Sequence, residues 1–313
     1  MTKVLIVCSG TSGQISPFVR DQVVSLKKLG IEADFFAIKR RGALGYFHSY
    51  MQFLGILRER KYDLIHAHYG LSGLLSAMQW KVPCVITFHG SDINVIWVRP
   101  LSFLASRLSA YNIFVHPSQH SKLLASSRYA IIPCGVDLKT FFPLDRNSCR
   151  RKMKLEINRV YGLFSSGFSK EVKNYSLAKN AIDLLGIDIN LIELKGYSRE
   201  EVNLLMNAVD FLIVTSFSET GPVVVKEAMA CNLPVVSTDV GDVRWVTRDL
   251  AGCYLTSFDP GDVAAKLKIA ADFAKKDGRT RGRDRIIELG LDSEIVARRI
   301  WDVYESVLAR NEM

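Results

Sequence analysis

The sequence predicts an α/β protein that contains two doubly wound parallel sheets. Short apolar runs alternate with helix-like segments along all 313 residues, which is typical of parallel strands joined by crossover helices. The pattern starts again near Val160, after a polar, charge-rich stretch at residues 143–158 that favours a domain boundary. The chain is long enough for two separate cores. We therefore expect two facing Rossmann-like domains with a cleft between them, at 1–143 and 144–292, and a C-terminal helix at 293–313 that returns to the first domain.

The first half is predicted to alternate strands with helices from its first residues. A helical pattern begins at Pro17 and Gly30 ends it, because proline fits the first helical turn and glycine fits the position after the last. The predicted strands are the apolar runs at 4–7, 33–38, 62–67, 82–87, 112–116 and 130–133. Ligands of such sheets bind at the carboxyl ends of the strands, so the loop that starts at Gly10 is a candidate binding loop.

The second half repeats this organisation. Ser198 and Glu201 form a capping box that starts a helix, and Asp259-Pro260 places an N-cap before a first-turn proline. The predicted helices are 173–185, 199–208, 260–276 and 293–308, and the predicted strands are 161–166, 189–194, 211–215, 235–237 and 253–255.

Composition excludes several classes of protein. An apolar fraction of 48% and a charged fraction of 23% are globular values. No apolar run reaches the roughly 18 residues of a membrane span, and the apolar start at residues 1–8 is interpreted as a buried strand rather than a signal peptide. The six cysteines form no CxxC pair, which indicates reduced thiols without structural zinc. These observations predict a cytoplasmic protein.

All of the net positive charge lies in the first half of the chain. Residues 1–143 contain 16 Lys and Arg against 7 Asp and Glu, whereas the remainder carries 25 of each. An apolar, aromatic segment at 42–57 is flanked by basic residues, namely Lys39, Arg40, Arg41, Arg58, Arg60 and Lys61. This pattern suits a surface on anionic lipid headgroups, although a core helix with charged ends is the stronger interpretation of the segment alone. No nucleic-acid-binding motif occurs, so we expect no nucleic-acid partner, although a nucleic-acid binder that uses the basic half stays open as a rival function.

A loop and the helix after it form the sharpest candidate site. Glu219 follows a buried strand, and Glu227 lies in the helix that Thr220-Gly221-Pro222 opens. Gly221 permits close approach to the backbone, Pro222 fits the first turn, and free N–H groups at a helix start bind a diphosphate. Glu219 alone is equally explained as a charge that the helix dipole stabilises. Glu227 has apolar neighbours and needs a partner, because an unpaired buried carboxylate is costly, and two ribose hydroxyls would suit it.

These motifs resemble the retaining nucleotide-sugar glycosyltransferases of the fourth family, group 1, of the bacterial polysaccharide type. The Glu-x7-Glu pair and the segment Ala228-Met-Ala-Cys-Asn-Leu-Pro-Val-Val-Ser-Thr-Asp-Val-Gly-Asp242 are together specific for the family. Residues 132–137 and 88–92 add weaker support. The resemblance covers nearly the whole chain and implies the GT-B fold, although the family's usual chains are longer. It also implies transfer of a sugar from a nucleotide-diphosphate sugar, most often a UDP-sugar, to a hydroxyl group.

The resemblance implies roles for the matching residues. Glu227 would hold the donor ribose, Glu219 would lie beside the donor sugar, and Lys173 would pair with the diphosphate. His89 and Gly13 would approach the donor from the first domain, while Asp92 orients the loop of His89. The implied catalytic residues are His89, Lys173 and Glu219, and the implied donor-binding residues are Gly10, Gly13, Lys170, Thr220, Gly221, Pro222 and Glu227. At least one of His66 and His68 is expected to be structural, and His48, His116 and His120 are interpreted as packing or surface residues.

The chain departs from the family pattern at one position. Phe168 stands where the family usually has an arginine, and Lys170 is the nearest substitute, but a lysine lacks the planar two-pronged grip of a guanidinium. No Asp-x-Asp metal motif occurs in the chain. We therefore expect retention of the anomeric configuration without a metal or other cofactor, with cations and helix N–H groups neutralising the leaving diphosphate.

The acceptor and several rival functions stay open at this point. The basic first domain suits a lipid-linked or otherwise anionic acceptor, in polysaccharide or glycolipid synthesis, and a peripheral position at the cytoplasmic face of a membrane. The rivals on this fold are a nucleotide-sugar 2-epimerase and a non-catalytic nucleotide-sugar-binding subunit, the second motivated by Phe168. A dinucleotide dehydrogenase is disfavoured because Gly10-Thr-Ser-Gly13 lacks the full G-x-G-x-x-G fingerprint.

Overall fold

The computed structural model describes residues 1–10, 15–40, 42–123, 128–276 and 278–311. The chain divides into two compact units. Unit 1 comprises residues 1–134 together with 293–313, and unit 2 comprises residues 135–292. Among the described residues, no helix combines the length and the apolar character that a bilayer crossing requires.

The described strands of unit 1 form a parallel sheet in the order β2-β1-β3-β4-β5-β6. These strands are β1 (Lys3–Ser9), β2 (Glu32–Ile38), β3 (Leu64–His68), β4 (Cys84–Phe88), β5 (Tyr111–Phe114) and β6 (Tyr129–Ile131). The helices of the unit are α1 (Pro17–Lys28), α2 (Gly42–Glu59), α3 (Gly70–Ala77), α4 (Ser91–Asn94), α5 (Arg99–Leu108), α6 (Pro117–Leu123) and the C-terminal α14 (Ser293–Asn311). Alternate residues of β1 enter opposite cores, with Val4 and Ile6 on one face of the sheet and Leu5 and Val7 on the other.

The described strands of unit 2 form a second parallel sheet in the order β11-β10-β9-β7-β8. They are β7 (Val160–Phe164), β8 (Ile189–Glu193), β9 (Phe211–Val214), β10 (Val235–Thr238) and β11 (Cys253–Thr256). The helices are α7 (Arg146–Lys152), α8 (Tyr175–Leu185), α9 (Arg199–Ala208), α10 (Val223–Ala230), α11 (Val243–Thr247), α12 (Pro260–Lys276) and α13 (Gly282–Glu288), with a short 3-10 turn at Glu171–Lys173. Both sheets are therefore doubly wound, as expected.

The division between the units differs from the predicted boundary at residue 143. Val136 and Phe141 are buried in the core of unit 2, so this unit begins earlier. The polar stretch at 143–158 is also not a linker, because it contains α7. Arg150 in this helix is 3% exposed and pairs with Asp210 at 2.8 Å, and Arg146 pairs with the same carboxylate at 3.0 Å. Two of the charges that suggested a linker, Arg146 and Arg150, thus hold the helix to Asp210 of the same unit.

The C-terminal helix α14 belongs to unit 1. Its residues Ala297, Ile300 and Tyr304 are buried in the core that contains Val4 and Ile6. The side chain of Arg299 also donates a hydrogen bond to the carbonyl of Ile131 at 2.8 Å. The last helix of the chain therefore completes the unit that the first strand begins.

Candidate functional site

The candidate donor site of unit 2 lies where the strand order reverses. The chain's first strand in this sheet, β7, has β8 on one side and β9 on the other. Lys173 follows β7 and Glu219 follows β9, so both residues lie beyond the carboxyl ends of these strands. Ligands of doubly wound sheets bind at this reversal.

Lys173 and Glu219 form an ion pair there. Nζ of Lys173 lies 2.5 Å from Oε1 of Glu219, and the hydroxyl of Ser216 donates to the same oxygen at 2.7 Å. Both charged side chains are less than one fifth exposed. The sequence predicted both residues for the site, and the structure shows that each is the other's counter-ion.

The loop at Thr220–Pro222 leads directly into α10, whose first residue is Val223. Pro222 is the N-cap rather than the predicted first-turn residue, because its ψ of 105° is extended. A Cβ on Gly221 would lie 3.1 Å from Oδ2 of Asp242, so the loop packs tightly on the start of α11. Under Gly221, Asp242 forms an ion pair of 2.7 Å with the fully buried Lys226. The loop thus has a charged but closely packed base.

Glu227 has the partner that its burial required. Nη1 of Arg199 lies 2.5 Å from Oε1 of Glu227, whose side chain is 7% exposed. The guanidinium of Arg199 also lies 4.5 Å from the centre of the Phe141 ring, a cation–π contact. The sequence analysis did not identify Arg199. The capping Ser198 could have indicated it, because Arg199 is the first residue of α9 and follows the carboxyl end of β8.

Phe168 and Lys170 differ in their surroundings, and only Lys170 can supply a cation in place of the arginine that the family usually has. The ring of Phe168 stacks on Tyr175 at 4.1 Å and packs against Phe164 at 5.6 Å, so it belongs to the aromatic core. Lys170 is exposed at the start of the 3-10 turn. Lys170 is more exposed than Phe168. Its long side chain is a flexible cation without the planar geometry of a guanidinium.

Gly10 directly follows β1 of unit 1. Its N–H donates to the carbonyl of Ile38 at 2.8 Å, and a Cβ at this position would lie 2.9 Å from Cβ of Ala37. A side chain would therefore collide with β2, which explains the glycine. The predicted donor-binding Gly13 lies outside the described residues.

His89 is part of a cluster of three histidines in unit 1. His66 and His68 lie on one face of β3 with their rings 4.5 Å apart, and Nδ1 of His68 lies 3.0 Å from Nε2 of His89. His66 also contacts the hydroxyls of Tyr304 and Thr87, at 2.5 and 2.7 Å. Burial lowers the pKa of His68 to about 3, and burial together with the neighbouring histidines holds the pKa of His66 and His89 well below the usual range. The cluster is therefore neutral at pH 7.

Asp92 orients the loop that carries His89. Its carboxylate accepts hydrogen bonds from the backbone N–H groups of Gly90, Gly70 and His89, at 2.7, 3.0 and 3.3 Å. Burial raises the pKa of Asp92 to about 6, although these backbone bonds oppose the shift. His116 contacts Ser118, and His120 stacks on Tyr129, at 2.7 and 3.8 Å.

The basic residues around α2 are exposed. Lys39 and Arg40 precede the helix, and Arg58 lies in its last turn. Arg60 pairs with Asp34 at 3.4 Å, whereas Arg41 lies outside the described residues. The predicted apolar segment is indeed helical, and its core face consists of Gly45, Ser49 and Phe53.

Two doubly wound parallel units, with the Glu-x7-Glu pair on the loop after β9 and the helix α10 that follows it, define an α/β protein of the GT-B class. The family model described as Glycosyltransferase Family 4 matches residues 3–140, and the one described as Glycosyl transferases group 1 matches residues 166–272. The chain belongs to this family of glycosyltransferases.

Curated relatives are also named as glycosyltransferases. D-inositol 3-phosphate glycosyltransferase of Mycolicibacterium vanbaalenii is 28% identical over 280 residues, which cover 71% of this chain and 62% of the relative. The protein of the same name from Pseudarthrobacter chlorophenolicus is 24% identical over 322 residues, which cover 74% and 76%. The chain thus spans less than two thirds of the length of the mycobacterial relative.

Solved structures share the fold. Sucrose-phosphate synthase from Thermosynechococcus elongatus has a TM-score of 0.83 at 16% identity and covers 99% of this chain and 100% of its own. HepE of Anabaena, in complex with UDP and glucose, has a TM-score of 0.78 at 16% identity and covers 98% and 100%. At these identities the likeness establishes the architecture.

Proposed function

We propose that this protein transfers a sugar from a nucleoside diphosphate sugar to a hydroxyl group of an acceptor. One observation carries the proposal, namely the two glutamates of the family motif at the strand-order reversal of unit 2. Each glutamate has a cation at 2.5 Å, Lys173 for Glu219 and Arg199 for Glu227. Membership of the glycosyltransferase family supports it independently.

The proposed donor site assigns one task to each of these groups. Glu227 accepts hydrogen bonds from the two ribose hydroxyls, and Arg199 fixes the direction of its carboxylate. Glu219 contacts the donor sugar, and Lys173 donates to the diphosphate while it stays beside Glu219. Because HepE of the same fold was solved with UDP and with UDP-glucose, a UDP-sugar is the first donor to test.

The proposed reaction retains the anomeric configuration and uses no metal. The acceptor oxygen bonds to the anomeric carbon as the bond from this carbon to the diphosphate oxygen breaks, and the acceptor proton passes to the leaving phosphate. Lys173, Lys170 and the free N–H groups at the start of α10 stabilise the negative charge of the diphosphate. The chain contains no Asp-x-Asp pair to hold a metal on it. The acceptor is a carbohydrate or a lipid-linked molecule, as in polysaccharide or glycolipid synthesis.

A thermal-shift panel with UDP, GDP, ADP and CDP tests the donor site. A nucleotide at one hundred times its Kd stabilises the protein by about 2.7 kcal/mol. We expect one nucleotide, UDP, to raise the Tm of the wild type, and Glu227→Gln to abolish this shift. Glu200→Gln is the matched control, because Glu200 is exposed on α9 next to Arg199. A shift that survives in Glu227→Gln would refute the assignment of this site.

Phe168 favours a second candidate, a nucleotide-sugar-binding subunit without turnover. It stands at the sequence position where the family usually has an arginine, and its ring packs into the aromatic core. Release of UDP from UDP-glucose, measured with and without candidate acceptors, separates the two functions. Turnover that Lys173→Met reduces at least a hundredfold supports the transferase, since one preorganised charge is worth roughly this factor. Normal UDP binding with no UDP release by the wild type would support the subunit.

A further inference from the structure

An apolar groove of about 460 Å³ lies in unit 1 among α2, α3 and α5. Ala43, Tyr46 and Phe47 of α2 line it, together with Leu71 of α3 and Leu101 of α5. Its volume is typical of small-molecule sites, and its surface is almost entirely carbon. The groove therefore suits a hydrocarbon chain.

A second pocket of about 400 Å³, more polar than the groove, adjoins it and shares Tyr46 and Leu71 with it. Its other walls include Ser9 at the end of β1, Tyr69 after β3 and Ser91 after β4. In the order β2-β1-β3-β4 the strand order reverses between β1 and β3, so the pocket lies at the reversal point where doubly wound sheets bind ligands. A ligand with a polar head and an apolar tail would fill both spaces.

Large apolar side chains are exposed on α2 and directly before α5, two of the helices that line the groove. Leu44, Phe47 and Met51 of α2 are 87%, 64% and 50% exposed, and their spacing places them on one face of the helix. Trp97, which precedes α5, is 88% exposed. Extended apolar patches on soluble folds mark contact with a partner or a lipid, and exposed tryptophan is typical of membrane interfaces.

Positive charge lies at the N-terminal end of α2. Lys39 and Arg40 are exposed directly before the helix. A Cβ on Gly45 would lie 2.8 Å from Cβ of Arg40, so the stem of this arginine lies against the first turn that also carries Ala43. An anionic head group at the mouth of the groove would meet these cations, which favours a lipid over a neutral apolar partner.

We propose that unit 1 binds a lipid-linked acceptor with an anionic head group. The hydrocarbon chain lies in the groove between α2, α3 and α5, and the polar part that carries the acceptor hydroxyl enters the adjoining pocket at the ends of β1, β3 and β4. The role of the bound molecule as an acceptor rests on the proposed glycosyl transfer. The binding of the amphiphile itself can be measured separately.

Calorimetric titration with hexyl, octyl and decyl phosphate, each below its micelle concentration, tests the site. Each buried methylene strengthens binding about fourfold, so two added carbons should lower the Kd by roughly tenfold when most of their surface is covered. Ethyl phosphate, which has the head group without the chain, should bind far more weakly than decyl phosphate. Affinity that does not change with chain length would overturn the proposal.

Two variants locate the binding. Ala43→Trp fills the groove from an exposed position, and we expect it to remove the dependence on chain length. Ala265→Trp, at an exposed position of α12 in unit 2, is the matched control and should bind decyl phosphate like the wild type. Arg40→Gln should weaken all three ligands by about fivefold. Unchanged binding in Ala43→Trp would place the amphiphile elsewhere and refute the assignment.

The nucleotide shift with UDP is recorded for every variant, and it separates the two proposals. Loss of the dependence on chain length in Ala43→Trp, with the UDP shift retained, supports the lipid site in a folded protein. Chain-length-dependent binding by a wild type that binds no nucleotide would support the lipid site and contradict the proposed donor site. A UDP shift without any binding of decyl phosphate would support the donor site and refute the lipid site.

Discussion

Acid should destabilise unit 1 through its buried histidines, and His68 allows the effect to be calculated. Its pKa is about 3 in the folded protein and about 6.5 when the chain is unfolded. Between these values the unfolded state binds more protons, so the free energy of unfolding falls as the pH falls. The stabilisation is complete above pH 6.5, and at pH 5 about 2 kcal/mol of it has been lost.

The substitution His68→Asn removes this titration but keeps a polar atom near the position of Nδ1, which faces His89. We expect the wild type to lose about 2 kcal/mol more than the variant between pH 8 and pH 5. Asp92, whose raised pKa of about 6 acts in the opposite direction, is present in both proteins, so its contribution cancels. The variant can be less stable than the wild type at both values of pH without affecting this comparison.

Urea unfolding at pH 8 and pH 5, followed by tryptophan fluorescence, measures the difference. Most of the tryptophans lie in unit 1, namely Trp80, Trp97 and Trp301, so the transition of this unit is observable. His48→Asn is the control, because His48 lies on α2 outside the cluster. Equal losses of stability in the wild type and in His68→Asn would refute a buried, neutral His68.

Two further predictions concern the base of the donor loop in unit 2. Lys226→Met should lower the free energy of unfolding by about 3–5 kcal/mol, because it leaves Asp242 as a buried unpaired charge, and the double variant Lys226→Met/Asp242→Leu should recover most of this loss in urea unfolding. A double variant no more stable than the single one would argue against this account. Gly241→Ala should weaken UDP binding roughly tenfold in calorimetry, since φ at Gly241 is 59° and a Cβ there would lie 2.6 Å from the carbonyl oxygen of Thr220. Gly196→Ala is the control, with a φ of 84° but no atom within 4 Å of the added Cβ, and equal UDP affinities in the two variants would contradict the proposed role of loop packing.

The sequence was sufficient for the fold because local signals agreed with one another. The capping box at Ser198 and Glu201 forms as predicted, with both hydrogen bonds present, and α12 begins at Pro260. These signals are local, since each depends on residues within one turn of helix. Apolar runs marked the strands for the same reason, because a parallel strand is buried on both faces.

The candidate site was predictable only in part, because its contacts join distant parts of the chain. The motif placed Glu219 and Glu227, and the cost of burial required a partner for Glu227. That partner, Arg199, lies 28 residues away in sequence, and no spacing rule links the two residues. Similarly, the i, i+2 spacing places His66 and His68 on one face of β3, but only the pairing of β3 with β4 brings His89 against them.

The position of α14 has a consequence for the order in which the protein folds during synthesis. All residues of unit 2 emerge from the ribosome before α14, which supplies Ala297, Ile300 and Tyr304 to the core of unit 1. Domains generally fold as units as they emerge, so the unit that begins the chain is the last to be completed. Until then only α1 covers the face of the sheet around Val4 and Ile6, and the part that α14 covers is exposed. A chaperone would have most to protect at this stage.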